Sequence, residues 1–270
     1  MNKAQVFVFF EMKKIARSRS LLLFGLLLSV LLLTITTVQL FALPITTSFT
    51  RYSASFLNVL LLLLPLFTLS IGALSISSDV DSRWFSLLRT YPMKASTYTW
   101  GKFFALFFSF SIMLIISSGL VMMVQALQTL QAFDFLLIIL SFFTVAIFSA
   151  LSILVGSLSK NRIHSLSLAL GIWAFFLLIY DYIVMAIGTV VSGIILQNLI
   201  IFLTFTNPAE WIRIGFIIFS GNSTVLGPLY FNFSTFFLSP SGMIIYGFIS
   251  ILWVIIPIFI SGKILYRKEG

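Results

Sequence analysis

Long apolar runs alternate with short charged clusters along this chain, and their lengths set the first expectation. Six runs, at about 20–43, 54–78, 103–125, 134–158, 163–188 and 243–262, are each long enough to cross a bilayer, because about 20 residues at ~1.5 Å rise cover the ~30 Å hydrocarbon core. The charges between the runs are equally ordered. With the N-terminus placed in the cytoplasm, Lys3, Lys13, Lys14, Arg17, Arg19, Arg83, Arg89, Lys94, Lys102, Lys160, Arg162, Lys263, Arg267 and Lys268 fall inside, and Arg51 and Arg213 fall outside. That asymmetry predicts an all-α membrane protein of six spans, with both termini and the loops 79–102 and 159–162 cytoplasmic. An added or missing span would scramble the alternation.

Shorter patterns fill the gaps. Residues 2–18 read as an interfacial helix. Val6, Phe9, Phe10 and Ala16 point one way, while Lys3, Glu11, Lys14, Arg17 and Ser18 lie mostly on the other side, with Glu11 and Lys14 as an i,i+3 pair. Such a segment lies apolar face down in the headgroup plane, or serves as a plain basic anchor. In the loop 79–102, Val80, Trp84, Leu87, Leu88 and Tyr91 make one apolar stripe, with Asp81, Ser82, Ser86 and Arg89 polar. This predicts a short helix over 80–90. Asp79 and Asp81 at its start and Arg89 near its end suit the helix dipole, and Pro92 stops it. Too short to span, the stripe covers either lipid headgroups or a groove on a cytoplasmic partner. Between spans five and six, Ile194–Thr206 is apolar but too short to cross, which predicts a re-entrant or interfacial piece. Asn207, Pro208 and Glu210 are helix-start residues, and 221–240 reads as a Gly/Asn/Ser/Pro-rich loop.

Composition narrows the classes. Hydrophobic residues make up 60% of the chain and charged residues 9%, against about 25% charge in soluble domains. The chain is therefore membrane-embedded throughout, one transmembrane domain over 1–270. The net charge of +9 flanks spans, where it meets anionic lipid, so nucleic acid is not the expected partner. The first apolar run is too long for a signal-peptide core and reads as a retained span. There are no cysteines, which removes disulfides and thiolate chemistry. The single histidine, His164, sits in a basic turn without companion ligands and reads as a cap, so no metal site is expected. Met113, Met122, Met123 and Met185 read as packing. No catalytic constellation appears: Gly101-Lys102 is followed by Phe103 and lacks the upstream glycine of a phosphate-cradling loop, and neither HExxH nor GxSxG is present. Polar residues inside spans are the pathway candidates. Asn58 lies in span two. Asp181, in span five between Tyr180 and Tyr182, is either a pathway or inter-helix contact or an anchor at the interface.

The chain resembles the ABC-2 (type-2 ABC exporter) permeases. Asp79, Asp81, Ser82, Leu87-Leu88, Tyr91-Pro92 and Gly101-Lys102-Phe103 echo that family's acidic pair, Leu-rich run, YP and GKF elements, with Asp in place of the more usual Glu and Ser82 where Gly is common. A narrower similarity, to the NosY-type permeases of nitrous oxide reductase maturation, runs through Leu168–Trp173, Tyr180-Asp181, Asn207-Pro208, Trp211 and Arg213. The resemblance implies an N-terminal interfacial helix, a coupling helix between spans two and three, and re-entrant pieces between spans five and six. It implies Asp79, Val80, Asp81, Arg83, Trp84, Leu87, Leu88 and Arg89 as the ATPase-coupling residues. It also implies a homodimer on two separate ATPase subunits, which bind the ATP and Mg, a pathway lined by spans two and five, an extracytoplasmic partner protein, and a sulfur-containing cargo for copper-site assembly. The competing functions are a secondary transporter or channel, for which Asp181 is the one candidate coupling charge, and a scaffold that transmits force without cargo.

Because the chain has no cysteine, topology is directly testable. Single cysteines at Ser82 and Ser223 are expected to react with an impermeant maleimide from opposite sides of sealed vesicles. Labelling of both from one side would refute the six-span arrangement.

Overall fold

The computed structural model describes residues 3–42, 51–82, 84, 95–126, 135–191 and 193–267. Regular structure among them is helical, and six helices are long and apolar enough to span a membrane. A short α1 (Lys3–Ala16) precedes α2 (Arg19–Ala42), α3 (Arg51–Asp81), α4 (Ala95–Ala126) and α5 (Phe135–Leu158), the first four spans. Span five is composite: α6 (Arg162–Ala174), a π turn (Phe175–Ile179) and α7 (Tyr180–Gly188). Then come α8 (Gly193–Thr206), α9 (Pro208–Phe219), two 3-10 turns, α10 (Phe231–Leu238) and α11 (Pro240–Arg267), the sixth span.

The spans match the apolar runs, with differences at their ends. Span three begins at Ala95, not near 103, because Tyr98, Thr99 and Lys102 are buried and so continue the helix instead of forming a loop. Span two runs on to Asp81. The stretch 221–240, read as loop, contains α10. Phe233 and Phe237, one turn apart, are buried there, Phe233 against Phe205 and Phe237 against Trp211 at 5.9 and 5.5 Å between rings, and that burial outweighs the weak helix preference of the flanking Ser, Asn and Phe.

α5 is the hub. It packs on α3, α11 and α4, and 67% of its span is buried, against 11% for span five. Lipid tails are as apolar as leucine, so membrane helices associate through close packing and polar contacts rather than by escaping water. The α3–α5 seam shows this. Gly72 faces Ser152 and Ala73 faces Gly156, and a Cβ on Gly156 would lie 2.7 Å from Ile76 Cβ and 2.8 Å from the Ala73 carbonyl. Pro65 stands inside α3, and nearby the Trp173 indole of span five donates to the Leu62 carbonyl at 3.1 Å, tying α6 to α3.

Gly156→Ala is expected to push α3 off α5, a backbone clash of the overpacking kind that costs about 1–3 kcal/mol. Gly119→Ala, which meets nothing within 4 Å, is the matched control. Thermal unfolding in detergent should separate the two. Equal midpoints would mean that the seam is looser than drawn.

Candidate functional site

Two polar clusters join helices that apolar packing alone would leave loosely set. The first lies at the basic end of the bundle. The face of α1 that carries Phe7, Glu11 and Ile15, one turn apart each, is buried against α4. A Cβ on Gly101 would fall 2.5 Å from the Phe7 ring, so only glycine lets α1 approach this closely. The next residue, Lys102, is fully buried. Its ammonium has three donors, and three acceptors surround it: Glu11 Oε2 at 2.6 Å, Asp79 Oδ2 at 2.6 Å and Ser75 Oγ at 3.0 Å. The Tyr98 hydroxyl donates to Asp79 Oδ2 at 2.8 Å, and Lys14 to Asp79 Oδ1 at 3.2 Å. Lys14 also stands 3.9 Å from Glu11 Oε1. One buried ammonium therefore clamps α1, α3 and α4 together.

Asp81 faces another way. Its carboxylate accepts from the Arg162 backbone N–H at 3.2 Å and lies 3.7 Å from the Arg162 guanidinium. It thus supplements the cap of α6, whose N-cap Asn161 accepts from the His164 N–H at 2.8 Å. His164 Nδ1 in turn accepts from the Lys160 N–H at 3.2 Å, the capping role its position suggests. No group of three metal-ligating side chains occurs among the described residues.

This geometry revises part of the sequence reading. Asp79, Val80 and Asp81 do not open a new helix over 80–90. They close α3, where the dipole disfavours acids, and they are held there by Lys102, Lys14 and Arg162. Val80 is half-buried against the core and does not lead a free stripe. Trp84 is helical and 41% exposed. Arg83, Leu87, Leu88 and Arg89 lie outside the described residues. Sequence reasoning placed Glu11 on the solvated side of α1 and took Lys102 as one more topogenic loop charge, and so missed both. A signal existed: an acid at the centre of the Phe7–Ile15 stripe in a segment otherwise basic, and a lysine between Gly101 and Phe103.

The second cluster lies at the opposite end. Asn207 caps α9, its Oδ1 accepting from the N–H groups of Ala209 and Glu210 at 2.9 and 3.4 Å. Its Nδ2 donates to the Phe176 carbonyl in the π turn at 2.8 Å. The Tyr180 hydroxyl donates to the Leu203 carbonyl of α8. Arg213 pairs with Glu210 one turn away and lies 3.5 Å from Asp181 of α7. Burial, opposed by Arg213 and aided by the like charge of Asp181, holds the Glu210 carboxyl above its ordinary range. Trp211 stacks on Tyr246 of α11 at 4.5 Å and donates to Ser250 at 3.0 Å. Asp181 is thus an inter-helix contact, half-exposed beside a cavity of about 260 Å³ that Tyr180, Thr204, Glu210 and Tyr230 also line. Asn58, the other pathway candidate, lies on an uncovered face of α3.

The sequence profile of the ABC-2 family transporter proteins matches residues 8–268, which takes in both clusters and all six spans. The chain belongs to the ABC-2 transporter family. No curated protein matches it. Membership makes the chain a multi-pass membrane protein and the membrane subunit of an ABC transporter, a class whose energy comes from a partner ATPase. The family elements also acquire physical roles. In the GKF element, Gly101 admits α1, Lys102 binds the acids and Phe103 packs in the core. In the acidic pair, Asp79 and Asp81 serve two different helices.

Lys102→Met would leave Glu11 and Asp79 as buried carboxylates without their shared cation, and breaking a buried ion pair in this way costs about 3–5 kcal/mol. The double change with Glu11→Gln is expected to recover part of that loss. Unfolding midpoints of the single and double variants in detergent give the coupling. Strict additivity would show that Lys102 and Glu11 do not interact.

Proposed function

We propose that this chain is the permease of an ATP-driven exporter, working as a homodimer on two copies of a separately encoded ATPase that binds the ATP and Mg. Both termini and the segment after α3 face the cytoplasm in this reading. The observation that carries it is that Asp79 and Asp81, five and three residues before Trp84 in the chain, anchor the end of α3 to α1, α4 and span five. A force delivered on the residues after Asp81 acts at once on α3, on α1 and α4 through Asp79, and on span five through Asp81. Because span five is an apolar helix that its own chain barely covers, it is the natural moving element and the natural face for a second copy. Asn58, Asp181 and the outer cavity would then line the path between the copies.

The cargo we propose is a sulfur-containing species destined for the copper site of nitrous oxide reductase, handed to an extracytoplasmic partner. What supports this is the run Leu168–Trp173, Tyr180-Asp181, Asn207-Pro208, Trp211 and Arg213. In this run Arg213 pairs with Asp181 and Asn207 donates to the Phe176 carbonyl, both joining α9 to span five, while Trp211 donates to Ser250 of α11 and Trp173 to the Leu62 carbonyl of α3.

Trp84 is the point of test. It is exposed, and aromatic anchors of this kind contribute about 2 kcal/mol or more to interfaces. Trp84→Ala should therefore weaken ATPase binding by roughly 30-fold, since each ~1.4 kcal/mol is tenfold, with membrane insertion unchanged. Co-purification of the ATPase with tagged wild type and variant, at limiting concentration, measures this. Equal recovery would mean that the segment lies on lipid and not in an ATPase groove.

A further inference from the structure

We propose that the groove between α1 and the adjoining parts of α2 and α4 seats an anionic phospholipid of the leaflet at the basic end. The groove has a volume of about 290 Å³, near the lower edge of the ~300–1,000 Å³ typical of small-ligand sites. Its walls are apolar: Phe9, Met12 and Ala16 of α1, Leu21 of α2, and Ile112 and Met113 of α4. Two polar side chains join them. Ser109 is 2% exposed, yet its hydroxyl has no hydrogen-bond partner among the described residues. A buried donor left unmet calls for a partner that the chain itself does not supply. Lys13 is uncovered beside Arg17 and Arg19. Unlike its neighbour Lys14, it makes no ion pair among the described residues.

Apolar walls, one internal hydroxyl and a cationic rim together match one chemistry. An acyl chain lies along Phe9, Met12 and Met113, an ester carbonyl accepts from Ser109, and the phosphate meets Lys13. The exposed Val6, Phe9 and Phe10 already point α1 toward lipid. A second copy of the chain is the poorer occupant, because a self-contact on this face would bring Lys13, Arg17 and Arg19 against their own counterparts. The back of the same helix holds Glu11 on Lys102.

The test uses the full chain purified in detergent and incubated with phosphatidylglycerol and phosphatidylcholine of equal chain length. Retained lipid is counted by native mass spectrometry. Wild type is expected to keep phosphatidylglycerol in preference. Lys13→Glu is expected to lower that retention by about tenfold while leaving phosphatidylcholine unchanged, as the loss of a headgroup contact requires. Ala16→Trp, which fills the groove from an uncovered position, should lose both lipids, and Ala16→Ser should behave as wild type. Gel filtration checks that each variant is intact. Equal retention of the two lipids by wild type, or wild-type retention by Lys13→Glu or Ala16→Trp, would overturn the proposal. So would a photocrosslinker at position 9 that captures a second chain instead of lipid.

Discussion

The Lys102 ammonium sits among Glu11, Asp79 and Ser75 with each of its donors occupied, and the arrangement of the basic end follows from that. A charge withdrawn from water is tolerated only where opposite charge and hydrogen bonds replace hydration. The three helices that supply those groups therefore cannot slide past one another without exposing one of them. Apolar packing alone would not impose this, since a leucine is nearly as well placed against lipid as against another helix. The cluster turns three apolar rods into one body, and Asp79 sets where α3 ends relative to the others.

Span five is built on the opposite plan. It shares little buried surface with the rest of the chain and is held by point contacts spaced along its length: Arg162 on Asp81, Trp173 on the Leu62 carbonyl, Phe176 on Asn207 and Tyr180 on the Leu203 carbonyl. Contacts of this kind are directional and few, whereas α5 is interlocked with α3 through Gly156 and Ser152. Closely interlocked and lightly held parts of the bundle are thereby distinguished by the type of interaction that holds each.

The six spans and the charge asymmetry were legible because hydrocarbon thickness and positive-inside bias act on every residue of a run. Asn207 was legible too, since capping is local. The positions that escaped were those whose partners are distant in sequence. Nothing near Lys102 marks Glu11, 91 residues away, as its counterion, and positive-inside counting treats a buried lysine like a solvated one. The helix over 80–90 was drawn from Val80 because the apolar stripe is continuous with the end of α3. Periodicity alone cannot place a helix boundary inside a continuous apolar stripe. Phe231–Leu238 was lost to its Ser and Asn neighbours, although Phe233 and Phe237 carried helical spacing.

The π turn at Phe175–Ile179 gives span five a property that no straight helix has. One extra residue rotates everything beyond it by about 100° relative to an uninterrupted α-helix. The half that begins at Arg162 and the half that ends at Gly188 therefore present sequence positions on different azimuths, each set by its own contacts: Asp81 and Leu62 for one, Asn207 and Leu203 for the other. Span five is one continuous helix with two phases. A residue near one membrane surface therefore faces a different neighbour from the one that α-helical counting from the other end would assign to it.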